Sequence, residues 1–282
     1  MSTTQVNGGI GVSRITPVFH NLRNLLRYRG LIQSLVAREL KARYRGSVLG
    51  FFWSFINPLL LLLVYSFVFS VILPNRAPRT RPYAIFLFCG ILPWTWFSSS
   101  LLEASNVLIS GGNLIKKVLF PAEVLPIVTV LANGVHFLLG LPILVIFLVA
   151  YRVFPDPAGL VWFPVALLVQ MILTLGFALI VSSLTVHFRD IKDILGNLMT
   201  FWFFSTPIIY DMSLFDDKPW GKTLINLNPF THLAISYQEI LFYDGPVGHW
   251  KWLLALGVAA CGLFLLGYFL FDRLRDSFAE EV

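Results

Sequence analysis

The sequence is poor in charge. Only 13% of its 282 residues are Asp, Glu, Lys or Arg, against ~25% in an ordinary soluble domain, which excludes a chain wetted on all sides. Cysteine is scarce: Cys89 and Cys261 are the whole supply. Both fall inside long apolar runs, so they read as small buried hydrophobes, with no disulfide framework and no metal site. A GxxxxGK[ST] phosphate loop is missing. The nearest glycine run, "SGGNLIKK", lacks both the spacing and a hydroxyl residue after its lysine, so ATP, if used, binds elsewhere. The first 45 residues hold no apolar core of signal-peptide length and are rich in arginine. The first span, near residue 49, is therefore expected to stay in the mature protein. Charge is largely avoided in mid-span too, where each one costs ~2.5–3.5 kcal/mol on insertion scales. The polar residues there, Asn133, His136, Gln170 and Asn197, form no carboxylate pair for a proton relay and suit helix–helix hydrogen bonds.

Apolar chain is what the sequence has. Hydrophobic residues make up 57% and mean hydropathy is +0.76. Several runs exceed the ~18 residues needed to cross a bilayer. They are continuous, whereas a barrel would alternate over ~10-residue strands. The expected fold is an all-α integral membrane protein. Six spans are read at about 49–73, 83–105, 124–151, 160–186, 192–210 and 250–271. A tail (1–30) and an amphipathic interfacial helix (31–45) precede one transmembrane domain (46–282). Residues 211–249 are too polar to span and too apolar for a plain loop. Asn228 and Pro229 open a short helix there, so outer-face helices that dip in without crossing are expected.

Orientation follows from Lys and Arg in short loops. Arg14, Arg23, Arg27, Arg29, Arg38, Lys41, Arg43 and Arg45 precede the first span, and Lys116, Lys117, Arg189, Lys192, Arg273 and Arg275 fall on the same side. The other side holds half as many, three of them in the loop "NRAPRTRP". Both termini are expected in the cytoplasm.

The leader carries a pattern of its own. Ile32, Val36, Leu40 and Tyr44 recur every fourth residue, Ser34, Arg38, Lys41 and Arg45 oppose them, and Glu39 and Arg43 are spaced as an i,i+4 pair. Such a helix lies in the membrane interface, either as a topology signal and lipid anchor or as a docking surface for a cytoplasmic partner. Glu39 favours docking, because a lipid anchor has no use for an acid. A second cytoplasmic element, "NVLISGGNLIKKVLFPAEVLPI", puts a short basic helix between Gly111-Gly112 and Pro121. Inside the first span Pro58 leaves the Ser54 carbonyl without its usual donor and bends the helix.

These stretches carry a resemblance. "RELKARYRGSVLGFFWSFINPLLLLLVYSFVFS" resembles the start of the permease subunits of bacterial polysaccharide-exporting ABC transporters, of the O-antigen, teichoic-acid and capsule type. The shared pattern is a basic amphipathic helix, a Leu-Gly turn (Leu49-Gly50), a tryptophan (Trp53) and a proline five residues on (Pro58). "GILPWTWFSSSL", "LIKKVLFPAEVLP", "FRDIKDI", and "TPIIYD" with "NPFTHL" agree in order; residues 1–29 and the outer loop at 74–82 fall outside the match. The resemblance implies a homodimer of twelve spans in the bacterial inner membrane, above two copies of a separate ATPase that binds ATP and Mg, exporting a lipid-linked polysaccharide, with no nucleic acid involved. The chain itself is then no enzyme and holds no cofactor. Arg38, Glu39, Lys41, Arg43 and Arg45, with Lys116, Lys117 and Phe120 of the coupling loop 107–121, would dock the ATPase. Leu49, Gly50 and Pro58 would form the entrance turn, and residues 211–249 an outer gate.

Aromatics make up 15% of the chain. Trp and Tyr gather at membrane interfaces and Phe fills lipid-facing surface, but rings also suit the flat C–H faces of sugars and let a polymer slide. Phe51, Trp53, Trp94, Trp96, Trp202 and Tyr210 are the expected path residues. The leader's arginines would attract the pyrophosphate of a lipid-linked glycan. Three rivals stay open. A membrane-embedded prenyl- or glycosyltransferase needs clustered acids and has only Asp190 and Asp193. An ion-coupled transporter needs inverted repeats and buried ionisable residues. A drug or small-lipid permease would share the fold.

Overall fold

The computed structural model describes residues 28–72, 82–112, 116 and 121–281. The tail before Tyr28, the outer loop up to Arg81, and Lys117 and Phe120 of the expected docking set lie outside the described residues. Helix α1 (Arg29–Arg43) is followed by a 3-10 turn (Gly50–Phe52) and α2 (Trp53–Phe67). Then come α3 (Tyr83–Ser110), α4 (Val124–Ala150), α5 (Phe163–His187), α6 (Ile191–Phe204), α7 (Pro219–Asn226), α8 (Pro229–Leu241) and α9 (Trp250–Leu274). No strand occurs among the described residues, and five helices there are long and apolar enough to cross a membrane.

Local chemistry sets the breaks. Gly46 (φ 81°) stops α1 in the left-handed region, and Gly50 (φ 48°) does the same one turn before α2. A side chain with a Cβ adopts either conformation only under strain. Pro58 and Pro93 sit inside unbroken helices. The Pro93 carbonyl accepts a bond from buried Gln170 of α5 (2.8 Å), so one polar residue of mid-span is used to join two helices.

α3 is the centre of the bundle, with most of its surface buried. α5 and α9 pack closest of all. A Cβ on Gly176 would meet the Phe264 backbone nitrogen at 2.9 Å, and one on Gly267 would meet the Gly176 carbonyl oxygen at 2.6 Å. In lipid, where no hydrophobic effect drives helices together, such small-residue contacts hold spans by dispersion. By contrast α2 is almost unburied; Leu60, Leu63, Val64 and Phe67 all face outward.

The segment expected as the fifth span is not one long helix. α6 has 14 residues, about 21 Å at 1.5 Å per residue, against a hydrocarbon core of ~30 Å. Pro207 is the cause: it supplies no amide proton, and the chain leaves the helix at Ser205. The chain nonetheless runs antiparallel beside α3. Gly196 faces Leu102 across a groove, Phe203 meets Trp94 (5.8 Å between rings), Ile208 lies on Gly90, and Tyr83 donates to the Ile209 carbonyl. That is a length of α3 of about 28 Å.

α8 goes back into the bundle. Its first turn puts Phe230 between Trp94 and Phe97 (5.0 and 4.9 Å), and its end brings Phe242 to Phe86 (5.6 Å). α8 therefore starts at the level of Trp94 and Phe97 and rises toward the Tyr83 end of α3, spanning about 17 Å measured along α3. Asn228 makes this geometry possible. Its Oδ1 accepts from the Phe230 amide (3.0 Å) and from Trp202 Nε1 (2.6 Å), while its Nδ2 donates to Thr206 Oγ1 (2.8 Å) and the Ser205 carbonyl (3.3 Å). One side chain caps α8 and satisfies the break after α6. In the first turn of α8 His232 bonds His249 (2.9 Å) and the Asn226 carbonyl (3.0 Å), with Trp252 stacked on it at 5.0 Å. Burial and the neighbouring His232 push the His249 pKa down to about 4, so this pair is neutral near pH 7.

Gly267→Leu should separate α5 from α9, at a cost of ~1–3 kcal/mol for overpacking, whereas Gly262→Leu, with nothing near its Cα, should be silent. Thermal melting of the detergent-solubilised protein checks this; equal melting of both variants contradicts the close contact.

Candidate functional site

Where α1, the glycine turn and helices α2, α3 and α4 meet, they enclose a cavity of about 550 Å³. Its wall is unusually polar for a membrane bundle: Arg43, Tyr44, Ser47, Asn57, Asn133 and His136 face it, with Trp53, Trp96 and Pro58 among the apolar lining.

Three side chains tie α1 to this wall. Arg43 Nη2 donates to both carboxylate oxygens of Glu103 on α3 (2.9 and 2.7 Å), and its Nη1 donates to Asn133 Oδ1 on α4 (3.2 Å). Asn133 Nδ2 returns a bond to Glu103 Oε2 (2.7 Å) and another to the Thr129 carbonyl (3.1 Å). The guanidinium fork is suited to this, since it engages several acceptors at fixed angles. Arg43 and Glu103 remain 27% and 39% exposed, so water reaches the pair from the cavity side. The Glu39–Arg43 pairing expected from spacing gives way to Glu103, which lies across a helix–helix contact.

Tyr44 makes a second tie. Ser54 of α2 donates to the Tyr44 hydroxyl (2.8 Å), which stands 3.2 Å from His136 Nδ1 on α4. His136 Nε2, on the far side of the ring, is buried and has no hydrogen-bond partner among the described residues. Phe51 packs edge-on against Tyr44 (6.4 Å), and Trp53 donates to Ser47 Oγ (3.0 Å) across the turn.

α1 packs on the bundle. It runs in the same direction as the first half of α4: Leu35 packs on Val124 and Val128, Arg43 reaches Asn133, and Tyr44 reaches His136. Protein, not lipid, covers much of its apolar face. Arg38, Glu39, Lys41 and Arg45 stay exposed, and so does Lys116.

The other residues expected to act are scattered. Leu49 and Phe51 are half-exposed at the turn, Gly50 makes it, and Pro58 lines the cavity. Trp94 and Trp96 are buried, at 6% and 4% exposure. Trp94 is sealed among Phe97, Trp202, Phe203 and Phe230, and Trp96 donates to the Val130 carbonyl (3.0 Å) with its ring on Phe137. Both rings are largely spent on packing because α3 is so central, with Trp96 showing at the walls of cavities. Trp202 is held by Asn228, and Tyr210 packs on Phe215 (5.7 Å) in an outer groove shared with Trp220. The sequence marks Asn133 only as suited to helix–helix hydrogen bonds, and nothing in it joins Asn133 or Glu103 to Arg43.

The chain is similar in sequence to known proteins. The family model described as ABC-2 type transporter matches residues 30–242. The chain is 40% identical over 261 residues to the O-antigen export system permease protein RfbA of Myxococcus xanthus, covering 93% of this chain and 98% of that protein. It is 33% identical over 251 residues to a protein of the same name from Klebsiella pneumoniae, covering 89% and 94%. The polysialic acid transport protein KpsM of Escherichia coli is more distant, 24% identical over 216 residues, covering 74% and 80%.

Glu103→Ala strands Arg43 and half of the Asn133 amide. The expected loss is ~1–3 kcal/mol, the penalty of unmet polar groups, below the ~3–5 kcal/mol of a fully buried pair because water reaches both partners. Glu103→Gln should lose less. Thermal melting of the purified protein measures both; an Ala variant as stable as the parent contradicts the tie.

Proposed function

The chain belongs to the ABC-2 type transporter family, and from that premise we propose that it is the membrane permease of an exporter that carries a lipid-linked, O-antigen-like polysaccharide out across the bacterial inner membrane. The observation that carries this reading is the 40% identity, over nearly the whole of both chains, to an O-antigen export permease. As an ABC-2 permease it is a transport subunit and not an enzyme. A separate ATPase supplies ATP hydrolysis, with ATP and Mg bound there.

Six crossings, counting residues 191–209 as one, put both termini in the cytoplasm, in keeping with the excess of Lys and Arg on that side. The exposed face of α1, with Arg38, Glu39, Lys41 and Arg45, is the docking surface for two ATPase copies under a homodimer, helped by the 107–121 segment. The outward apolar faces of α2 and of α6 (Ile194, Leu198, Phe201 and Phe204) supply the area for pairing with a second copy. The polar cavity lies directly behind the docking face. A push on α1 reaches Glu103 and Asn133 through Arg43, and Ser54 and His136 through Tyr44. The motor's stroke is thus delivered to three spans at once, around a cavity that offers hydrogen bonds to sugar hydroxyls and a guanidinium to phosphate. α8, dipping from the outer side, closes the far end.

Charge reversal of the docking face, Arg38→Glu with Lys41→Glu, should release the ATPase from the solubilised complex and abolish surface O-antigen in a strain lacking its own permease, with the protein still folded and in the membrane. Surface polysaccharide on gels and co-purification of the ATPase read both effects. Export without any ATPase, or unchanged export by the reversed variant, refutes the reading.

A further inference from the structure

A second cavity lies along α1 beside the stripe that carries the Arg43 tie, and the proposed transport cycle makes no use of it. It is a groove of about 390 Å³ between α1 (Ile32, Val36, Leu40), α4 (Leu131, Val135, Leu138) and α5 (Leu167, Met171), floored by Gly134 and the Trp96 ring. Ligand pockets start at about this volume. Apart from Gln33 its lining is apolar. It is open on its outer side, where Leu138 stays 49% exposed, and it extends along α4 from the level of α1 towards mid-span. Gln170, next to Met171, bonds the Pro93 carbonyl halfway along α3, which fixes that depth.

An open apolar groove at this depth faces acyl chains, not water. One end also has a charge to offer. Arg29, Gln33 and Ala37 form one i,i+4 row along the rim of the groove; Gln33 and Ala37 line it, and Arg29 stands one turn beyond, at the cytoplasmic end of α1. Arg29 is exposed and has no ion-pair partner among the described residues. Apolar wall and free cation match the two halves of an inner-leaflet anionic phospholipid.

We propose that this groove is a binding site for one anionic phospholipid, with an acyl chain lying between α1, α4 and α5 and the phosphate at Arg29. The lipid fills the gap that α1, α4 and α5 leave between them, next to the ion-paired tie that Arg43 makes further along the same helix. The inference concerns this groove alone and stands whether or not the exported cargo is a polysaccharide.

Native mass spectrometry of the full chain, extracted in mild detergent and offered dioleoyl phosphatidylglycerol or dioleoyl phosphatidylcholine, tests it. The parent should retain phosphatidylglycerol in preference to phosphatidylcholine. Ala37→Phe, which fills the groove from α1, and Leu138→Trp, which fills it from α4, should each lose several-fold of the retained lipid. Arg29→Glu should keep lipid and lose the preference for the anionic one. Ser34→Phe, on an exposed part of α1 away from the groove, should match the parent. Two filling variants that hold as much lipid as the parent, or an Arg29→Glu variant with undiminished preference, overturn the proposal. So does removal of residues 1–27 if lipid retention then rises, because the chain's own N-terminus would then be the occupant.

Discussion

The contact between Arg43, Glu103 and Asn133 is the constraint on which the arrangement of this protein depends. A guanidinium at the inner part of a membrane bundle is costly unless every donor is met. Here it is met by one carboxylate and one amide from two different helices. The amide in turn is locked to the carboxylate and to its own helix. The consequence is geometric: α1 cannot shift by even one side chain's length without stranding charge on α3 and polar groups on α4. A helix that would otherwise rest on the bilayer by its apolar face is thereby made part of the bundle.

The rest of the molecule divides into what is packed and what is not. α3, α4, α5, α8 and α9 share one apolar core, with glycine contacts between α5 and α9 drawn to the limit of backbone approach. α2 and α6 add only Leu62, Leu195 and Met199 as buried members of it and show long apolar faces outward. The Ser54–Tyr44 bond is the polar link that brings α2 into the same network as α1 and α4.

Much of this was legible in the sequence, and the remainder was hidden for physical reasons. Span composition gave the all-helical membrane class, and the resemblance carried by the stretch around Leu49, Gly50, Trp53 and Pro58 together with four further stretches in order gave the family. The period of α1 was right, but an amphipathic pattern states only that one face is apolar; it does not say whether lipid or a neighbouring helix covers it. Arg43 looked like its neighbours Arg38 and Arg45 because its partner is 60 residues away. The fifth span looked continuous because Phe201–Phe204 and Ile208–Ile209 are equally apolar on either side of Pro207. Only the outer segment's Asn228, folded back against it, shows how the broken backbone is satisfied. Trp94 and Trp96 carry no mark that separates a packed ring from one facing a passing polymer.

The account requires α1 and α4 to travel as one body. Cysteines placed at Leu35 and Val128, which pack together in the structure, would lock the two helices when oxidised, in a chain with Cys261 replaced by alanine. Transport of polysaccharide by the complex in membrane vesicles, measured before and after oxidation, is the decisive reading. Undiminished transport with the bridge formed is the predicted result. Transport that stops on oxidation and returns on reduction would mean that α1 slides along α4 during the cycle, which a helix fixed by Arg43 cannot do.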